Sequence, residues 1–202
     1  MIISKSTNNI VDNLKEGKIV CFKTDTIWGI SANPLNGKSI NSLYTLKQRN
    51  VDKPFIFLIS KNQDITKLVD NISPLEQKLI DAFWPGPLTI IFKAKSNLQL
   101  LDFYSNKDTI ALRMPNDNLT QEILSKLDFP IPSTSVNLQN QPALNSFEEI
   151  YKNFQDKEIY ILNKNNSQNN NISSTIVAVE NNKIIILREG EIEKEKILSK
   201  CT

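Results

Sequence analysis

Short apolar runs rich in isoleucine, valine and phenylalanine alternate with helical patterns, and this order limits the fold more than any other feature of the chain. Six runs predict strands, at Lys18–Phe22, Phe55–Ile59, Leu88–Lys93, Thr109–Met114, Ser174–Val179 and Lys183–Arg188. Residues 180–182 separate the last two runs, which indicates a hairpin. Because strands and helices are interspersed in mixed order, the sequence predicts an α/β or α+β fold with helices flanking a twisted mixed sheet.

Two predicted helices begin with the pattern of a capping box. Ser73 stands three residues before Glu76, and Ser146 stands three residues before Glu149. In this arrangement the serine hydroxyl and the glutamate carboxylate each accept a hydrogen bond from a backbone N–H group at the helix start. Pro74 at the first helical position strengthens the first of these two signals.

Length and composition predict that residues 1–202 form a single domain. A chain of 202 residues, 40% of them hydrophobic, can bury one sizeable core. The segment 163–171 is rich in asparagine and is predicted to be a solvated loop rather than a domain boundary. Residues 191–202 carry alternating charges, which indicates a C-terminal tail with a short surface helix. A formal net charge of +2 does not by itself indicate binding to nucleic acid.

The residue types that the chain lacks exclude several classes of chemistry. There is no histidine, which excludes Ser-His-Asp and Cys-His catalysis and zinc sites with histidine ligands. The five glycines form neither the Rossmann nor the P-loop pattern. Cys21 and Cys201 lie near opposite ends, which argues against a disulfide framework or a thiolate metal cluster and suits a reducing compartment. The polar N-terminus and the absence of an apolar run of roughly 18 residues lead us to expect a soluble, cytoplasmic protein.

Three cations stand at the end of a third predicted helix and just after it. This helix is predicted from about Ser39 to Lys47, because apolar residues share one face at i, i+3 and i+4 spacing. Lys47, Arg49 and Lys53 stand within seven residues, directly before the apolar run at 55–59. If the helix ends before Arg49, the side chains of Lys47 and Arg49 can reach one anionic ligand. The alternative is that these cations only complement the dipole at the helix C-terminus.

Two polar segments and one arginine are further candidates. Ser135 and Asn137 stand two residues apart, which on an extended chain places the hydroxyl and the amide on one side. The segment Thr24–Thr26 follows the first predicted strand at a strand-to-loop edge. A turn or a helix cap would account for either segment alone. Arg113 lies in an otherwise apolar strand, where a buried guanidinium group needs a partner.

Together these segments resemble the YrdC/TsaC family of threonylcarbamoyl-AMP synthases. The paired signature of that family matches Lys47-Gln48-Arg49 and Ser135-Val136-Asn137. Further motifs match in the same order: KTDTIWGI at 23–30, DKPFIFLI at 52–59, FWPGPLTIIF at 83–92, TIALRMP at 109–115, SSTIVAV at 173–179 and ILREG at 186–190. All of them lie within residues 14–190, so the resemblance covers nearly the whole chain. It implies a YrdC-like domain of the short form with a concave basic ligand cleft.

The resemblance also implies an activity. The family joins L-threonine, bicarbonate and ATP into threonylcarbamoyl-AMP and pyrophosphate, for the threonylcarbamoyl-adenosine modification of tRNA. By this resemblance the chain is a nucleotidyltransferase whose catalytic residues are Lys47, Arg49, Ser135 and Asn137.

The resemblance further implies two sets of binding residues. Thr26 and Arg113 match the positions that bind threonine, Arg113 through a bidentate contact of its planar fork with the carboxylate. The matches to ATP-binding positions are Lys47, Arg49, Lys53, Thr109, Ser133, Ser135, Asn137, Ser174 and Arg188. The segment 83–88 is predicted to form a helix end and a turn, and not to belong to the site.

Magnesium is the only cofactor that the resemblance implies, as the companion of ATP, and no carboxylate of these motifs is a clear ligand for it. The implied partners are ATP, threonine, bicarbonate, weakly bound tRNA or double-stranded RNA, and a complex that transfers the product to tRNA.

One alternative function is that of a non-catalytic RNA-binding module, which the small net charge and the lack of an aromatic-basic stacking motif disfavour. Another is the carbamoyl-transfer domain of hydrogenase maturation proteins, which add cysteine-rich zinc segments that this chain lacks.

Overall fold

The computed structural model describes residues 1–48, 50, 54–61, 63–101, 103–104, 108–137, 141–164 and 171–201. Ten strands lie within them: β1 Ile2–Ser4, β2 Ile19–Lys23, β3 Trp28–Ser31, β4 Ile56–Leu58, β5 Leu88–Lys93, β6 Thr109–Arg113, β7 Ile131–Ser135, β8 Ile159–Leu162, β9 Thr175–Glu180 and β10 Lys183–Arg188. The α-helices are α1 Thr7–Lys15, α2 Gly37–Lys47, α3 Pro74–Phe83, α4 Asn118–Ser125, α5 Phe147–Phe154 and α6 Lys194–Cys201. Short 3-10 helices span Ile65–Lys67 and Gln99–Leu101.

All ten strands belong to one sheet in the order β1-β8-β2-β3-β7-β4-β6-β5-β9-β10. Four pairs of neighbours are parallel, namely β1 with β8, β8 with β2, β4 with β6, and β5 with β9. The other five pairs are antiparallel. The predicted α/β fold with a mixed sheet and flanking helices is therefore confirmed.

The six predicted strands are all present, and each boundary lies within one residue of the predicted one. The predicted hairpin joins β9 to β10 through Asn181 and Asn182, which both adopt left-handed backbone angles (φ of 49° and 56°). Asparagine tolerates this conformation better than most residues, which explains why the turn forms here. The prediction did not include β1, β3, β7 and β8, which have only three to five residues each.

Both predicted capping boxes are formed. In α3 the Ser73 hydroxyl accepts from the Glu76 backbone N–H at 3.3 Å, and the Glu76 carboxylate accepts from the Ser73 backbone N–H at 2.7 Å. In α5 the corresponding distances for Ser146 and Glu149 are 3.1 and 3.2 Å. These contacts satisfy backbone N–H groups that a helix start otherwise leaves without partners.

The helix α2 begins two residues before the predicted start at Ser39. Its N-cap is Asn36, whose side-chain oxygen accepts from the backbone N–H groups of Lys38 and Ser39 at 3.0 and 3.2 Å. The asparagine cap therefore fixes the start, and the apolar pattern that guided the prediction sets in only afterwards. The helix ends at Lys47 as predicted, followed by Gln48 in a left-handed conformation.

The apolar face of α2 positions its last residue beside the sheet. Ile40 and Leu43 are fully buried, and Tyr44 forms an aromatic contact with Phe55 at 4.8 Å between ring centroids. Tyr104 adds edge contacts with both rings, at 6.4 and 6.1 Å. Since burial of one large apolar side chain stabilises a fold by about 1.5–3 kcal/mol, these contacts hold the C-terminal end of α2 against the sheet.

Two further observations bear on the sequence analysis. Both cysteines are buried and neither forms a disulfide. In the part of the chain that the structure describes, no helix has both the length and the apolar character that crossing a bilayer requires.

The Ser73 cap provides a test of this fold. Ser73→Ala removes the hydroxyl that accepts from Glu76, so we expect a loss of about 1 kcal/mol of folding free energy, which corresponds to about 2–4 °C in the unfolding midpoint. Ser125→Ala is the matched control, because this exposed hydroxyl only bonds the carbonyl of Glu122 in the same helix. Calorimetric midpoints that fall equally in both variants would contradict the assigned cap.

Candidate active site

A cavity of about 190 Å³ lies across the middle of the sheet. Its walls come from within residues 24–29, 54–58, 133–135 and 173–176, together with Arg113 and Arg188. These segments belong to β3, β7, β4 and β6, which are consecutive in the sheet, and to the ends of β9 and β10. Hydroxyl-bearing side chains and two arginines therefore surround a space that can hold a small solute.

Arg113 ends β6 and is buried at one wall of the cavity. Its guanidinium group donates to the Thr26 hydroxyl at 2.7 Å and forms an ion pair with Asp25. The Thr24 hydroxyl lies 3.4 Å from the same group and 3.0 Å from the Thr26 hydroxyl. The Nε atom of Arg113 is buried and has no hydrogen-bond acceptor among the described residues. The predicted pair of Thr26 and Arg113 is thus brought together, and one donor remains for an acceptor from elsewhere.

The turn between β2 and β3 gives Thr24–Thr26 their positions. The Thr24 backbone N–H and hydroxyl both donate to the carbonyl of Ile27, at 3.3 and 2.9 Å, which closes a tight turn. Lys23 pairs with Trp28 in the antiparallel ladder on either side of it. The three polar side chains are buried because this turn faces β6 and the start of α4 rather than solvent.

Asp25 lies within the candidate segment Thr24–Thr26, but the resemblance assigned it no role. One of its carboxylate oxygens pairs with Arg113, and the other accepts from the backbone N–H of Asn116 at 2.9 Å. The Asp25 backbone N–H donates to Asp117, which also caps α4 through Thr120. Burial raises the pKa of Asp117, and the negative charge of Asp25 adds to this effect. Its place beside Thr26, within the motif at 23–30, was the signal for Asp25 in the sequence.

Lys47 connects the two segments that carry the paired signature. Its ammonium group is buried and donates to the carbonyl oxygens of Ser135 and Asn137, at 2.6 and 2.5 Å, and to the Asn137 side-chain oxygen. The Ser135 hydroxyl donates to the same side-chain oxygen at 2.8 Å. The charge of Lys47 also acts on the Cys21 thiol. Burial raises the pKa of this thiol, and the positive charge of Lys47 offsets part of that rise. The prediction that Ser135 and Asn137 lie on extended chain is correct for Ser135, which ends β7, whereas Asn137 lies in a bend after this strand.

A second polar cluster lies on the opposite side of the cavity. Arg188 donates to the carbonyl oxygen of Ser174 at 2.7 Å and to its hydroxyl at 3.1 Å. The Ser174 hydroxyl also lies 2.8 Å from the hydroxyl of Thr89, which is fully buried. Gly190 allows this arrangement, since a Cβ there would collide with the backbone of Ser173 and Ser174.

Thr89 follows the segment that was assigned to a turn. That assignment is supported by two contacts, from Gly86 N–H to the carbonyl of Met114 at 2.8 Å and from Thr175 N–H to that of Pro87 at 3.0 Å. They join this turn to the ends of β6 and β9. Thr89 itself contacts Ser174 within the site, and only its place in a recognised motif could have indicated this from the sequence.

Of the four remaining predicted site residues, one lines the cavity, one does not, and two lie outside the described residues. Ser133 lines the cavity, beside Gly29, where a Cβ would come within 2.6 Å of its hydroxyl oxygen. Thr109 does not line this cavity, although it shares one face of β6 with Arg113 by two-residue alternation. Arg49 and Lys53 lie outside the described residues.

The electrostatics of the cavity favour an anionic ligand. The pKa of Arg188 lies below the ordinary arginine value, because the surrounding protein displaces water and because Arg113 contributes a second positive charge. Asp25 neutralises only one of these two guanidinium groups. The residues that the structure describes contain no cluster of three or more carboxylate or thiol side chains that could hold a metal ion.

Comparisons with known proteins identify the family of this chain. A model of the Sua5/YciO/YrdC family, described as "Telomere recombination", matches residues 12–190. A putative threonylcarbamoyl-AMP synthase of Methanocaldococcus jannaschii is 36% identical over 185 residues, which are 92% of this chain and 85% of that protein. A threonylcarbamoyl-AMP synthase of Vibrio campbellii is 30% identical over 92% of this chain and 100% of its own length.

Among solved structures, Pyrococcus abyssi Sua5 complexed with L-threonine superposes with a TM-score of 0.84 and 24% identity. That match covers 99% of this chain and 60% of the Pyrococcus chain, so it concerns the fold of one part of a longer protein. The family match extends over most of the sequence and includes every segment that forms the cavity. This chain belongs to the Sua5/YciO/YrdC family.

Proposed function

We propose that this chain is an L-threonylcarbamoyladenylate synthase, which condenses L-threonine, bicarbonate and ATP to threonylcarbamoyl-AMP and pyrophosphate. The observation that carries the proposal is the buried guanidinium of Arg113, held by Thr26 and Asp25 at the cavity wall, whose Nε has no acceptor among the residues that the structure describes. A buried donor without a partner costs about 1–3 kcal/mol, which a ligand carboxylate would recover. Relatives named threonylcarbamoyl-AMP synthase support this choice of amino acid and reaction.

The reaction suits a site without histidine. The amine of threonine adds to bicarbonate to give a carbamate and water, and a carbamate oxygen then attacks the α-phosphorus of ATP. The bond from this phosphorus to the bridging oxygen breaks, and pyrophosphate leaves with the electron pair. Because the carbamate is already anionic, the protein mainly has to hold two anions in contact and stabilise the charge that develops on phosphorus.

The two polar clusters divide this work. On one side, Arg113 and Thr26 bind the threonine carboxylate and orient the amine toward bicarbonate. At the ends of β10 and β9, Arg188 and Ser174 contact ATP. Ser135 at the end of β7 also lines the cavity, and Lys47 and Asn137, which bond to Ser135 but are not part of the lining, act on ATP with it. Arg49 and Lys53 remain predicted phosphate ligands on the sequence resemblance alone.

Lys47 has a specific part in this proposal. Its ammonium group already contacts three oxygen atoms of Ser135 and Asn137, so it holds the Ser-x-Asn segment, of which Ser135 lines the cavity. An ATP phosphate would exchange with one of these acceptors, since an ammonium group has three N–H donors and no more. Lys47 therefore couples phosphate binding to the position of the segment that ends β7.

Magnesium is proposed to arrive with ATP. None of the described residues that line the cavity carries a carboxylate, and Asp25, which pairs with Arg113 at the cavity wall, is engaged by that arginine and by the backbone of Asn116. Magnesium often keeps several waters and binds mainly through substrate phosphates, which this lining permits. When bound, it would offset the charge of the triphosphate.

The RNA-binding alternative receives less support. The charges that line the cavity are two arginines that bond neighbouring side chains and backbone, an arrangement suited to a small anion. Weak contact with tRNA, a complex that transfers the product, and a cytoplasmic location remain proposals that follow from the family reaction. An RNA-binding module would bind duplex RNA with a strong salt dependence and would not consume ATP.

The proposed reaction is tested directly by pyrophosphate release. Purified protein with ATP, magnesium, threonine and bicarbonate is expected to release pyrophosphate. One molecule of threonylcarbamoyl-AMP should form for each molecule of pyrophosphate released. Omission of threonine or of bicarbonate should reduce release to background, because both supply atoms of the attacking carbamate. Release that continues without either substrate would indicate ATP hydrolysis and contradict the proposal.

A further inference from the structure

We propose that Asp25 is the positioning residue for Arg113, and that its ion pair sets the affinity of this site for the carboxylate of threonine. This inference rests on the proposed function and adds a residue to it. The side chains of both partners are almost completely buried, with 4% of Asp25 and 6% of Arg113 exposed. An ion pair at this depth has little water to compete with it, so its geometry determines where the guanidinium group lies.

Asp25 connects three segments that are distant in the sequence. Its carboxylate oxygens contact Arg113 at the end of β6 and the backbone N–H of Asn116 before α4. Its own backbone N–H donates to Asp117 at 3.1 Å. The turn at 24–27 therefore cannot shift against β6 without breaking these contacts, and the guanidinium plane cannot rotate without leaving its partner.

The orientation that results leaves Arg113 ready to bind a carboxylate. One terminal nitrogen faces Thr26 at 2.7 Å, the other faces Asp25, and Nε has no acceptor among the described residues. Asparagine at position 25 would retain one oxygen but lose the charge, so the guanidinium group would be held less tightly. It would also leave Arg113 as a buried cation without a counter-charge, which disfavours its present position.

The ion pair of Asp25 and Arg113 also makes the net charge near Arg113 differ from that near Arg188. Asp25 and Arg113 together carry no net charge, whereas Arg188 on the other side bonds only neutral partners among the described residues. A highly charged triphosphate is therefore attracted more strongly to the side of Arg188. The single carboxylate of a zwitterionic amino acid can still bind the hydrogen-bond donors of Arg113.

The test compares two ligands that differ only in the carboxylate. Calorimetric titration of wild-type protein is expected to give much tighter binding of L-threonine than of L-threoninamide, which lacks the anionic group. In Asp25→Asn the affinity for threonine should fall at least about tenfold, because a displaced donor loses a charge-assisted bond. The affinity for threoninamide and for ATP should change by less than about twofold, since neither depends on this guanidinium position.

Asp70→Asn is the matched control, because it removes the carboxylate of an exposed ion pair with Lys93, 2.7 Å long, away from the cavity. It should leave all three affinities unchanged. If Asp25→Asn is too unstable to titrate, Asp25→Glu keeps the charge but moves the carboxylate by about 1.5 Å, one carbon–carbon bond. That variant should also bind threonine at least about tenfold more weakly.

Three outcomes would overturn the inference or its basis. Unaltered threonine affinity in a folded Asp25 variant would show that Arg113 needs no positioning by this carboxylate. An equal loss of threonine, threoninamide and ATP would show a general structural role instead. Wild-type protein that binds no threonine would contradict the proposed function itself, and with it the role of Asp25.

Discussion

Replacement of Arg113 by lysine is expected to lower kcat/KM for threonine by at least about a hundredfold while KM for ATP changes little. Lysine preserves the positive charge beside Asp25, so the fold keeps its buried ion pair. Its single nitrogen cannot contact Asp25, Thr26 and a substrate carboxylate with the geometry of a planar guanidinium group. The threonine would bind in the wrong orientation, and its amine would lie away from bicarbonate.

Alanine would be a less informative replacement for Arg113. It would leave Asp25 buried without a cation, which costs about 3–5 kcal/mol in comparable cases, and lost activity would then be confused with unfolding. Pyrophosphate release is therefore measured for Arg113→Lys with each substrate varied in turn, beside the thermal unfolding midpoint.

The matched variant for this comparison is Arg188→Lys, which makes the same change across the cavity. Arg188 contacts Ser174 through two nitrogens, and we expect its replacement to raise KM for ATP and to leave KM for threonine unaltered. If Arg113→Lys instead impaired the use of ATP and Arg188→Lys impaired the use of threonine, the assignments of the two subsites would have to be exchanged. Normal threonine kinetics in Arg113→Lys would remove Arg113 from the threonine site.

The sequence predicted best those elements whose signal is local. The six predicted strands each contain a continuous apolar run, and both capping boxes consist of two residues three apart, so neighbouring residues suffice to recognise them. The strand β1 has three residues and owes its existence to pairing with β8, about 158 positions later in the chain. Such a strand has almost no local signal, because partner and burial are supplied by the rest of the fold.

The same distinction applies to the site. Arg113 and Thr26 were selected through the family resemblance, but their contact joins residues 87 positions apart, which spacing alone cannot reveal. Asp25 received no role of its own from the sequence because a lone aspartate in a turn usually has a local role, and here its partner comes from β6. Lys47 was predicted for ATP phosphates, whereas its bonds to Ser135 and Asn137 depend on how α2 packs against the sheet.

Lys47→Met should have the second large effect, a fall of at least about a hundredfold in kcat/KM for ATP with threonine binding retained. Methionine is of similar length but has no donor, so the carbonyl oxygens of Ser135 and Asn137 lose their bonds to Lys47, and the Asn137 side-chain oxygen keeps only its bond from the Ser135 hydroxyl. Because Ser135 and Asn137 are only half-buried, water can replace part of these bonds, and we expect a loss of about 1–2 kcal/mol, which lowers the unfolding midpoint by several degrees. The threonine side, built by Arg113 and Thr26, contains no atom of Lys47.

Lys38→Met is the matched control on the same helix, where the lysine is exposed and the substitution should change neither activity nor the midpoint. Threonine affinity by calorimetry and ATP kinetics by pyrophosphate release separate the two subsites in Lys47→Met. A variant that unfolds earlier yet keeps normal kcat/KM for ATP would reduce Lys47 to a structural clamp between α2 and β7. The phosphate contacts would then have to come from elsewhere, because a buried ammonium group that only holds carbonyl oxygens contributes nothing to the charge that develops on phosphorus.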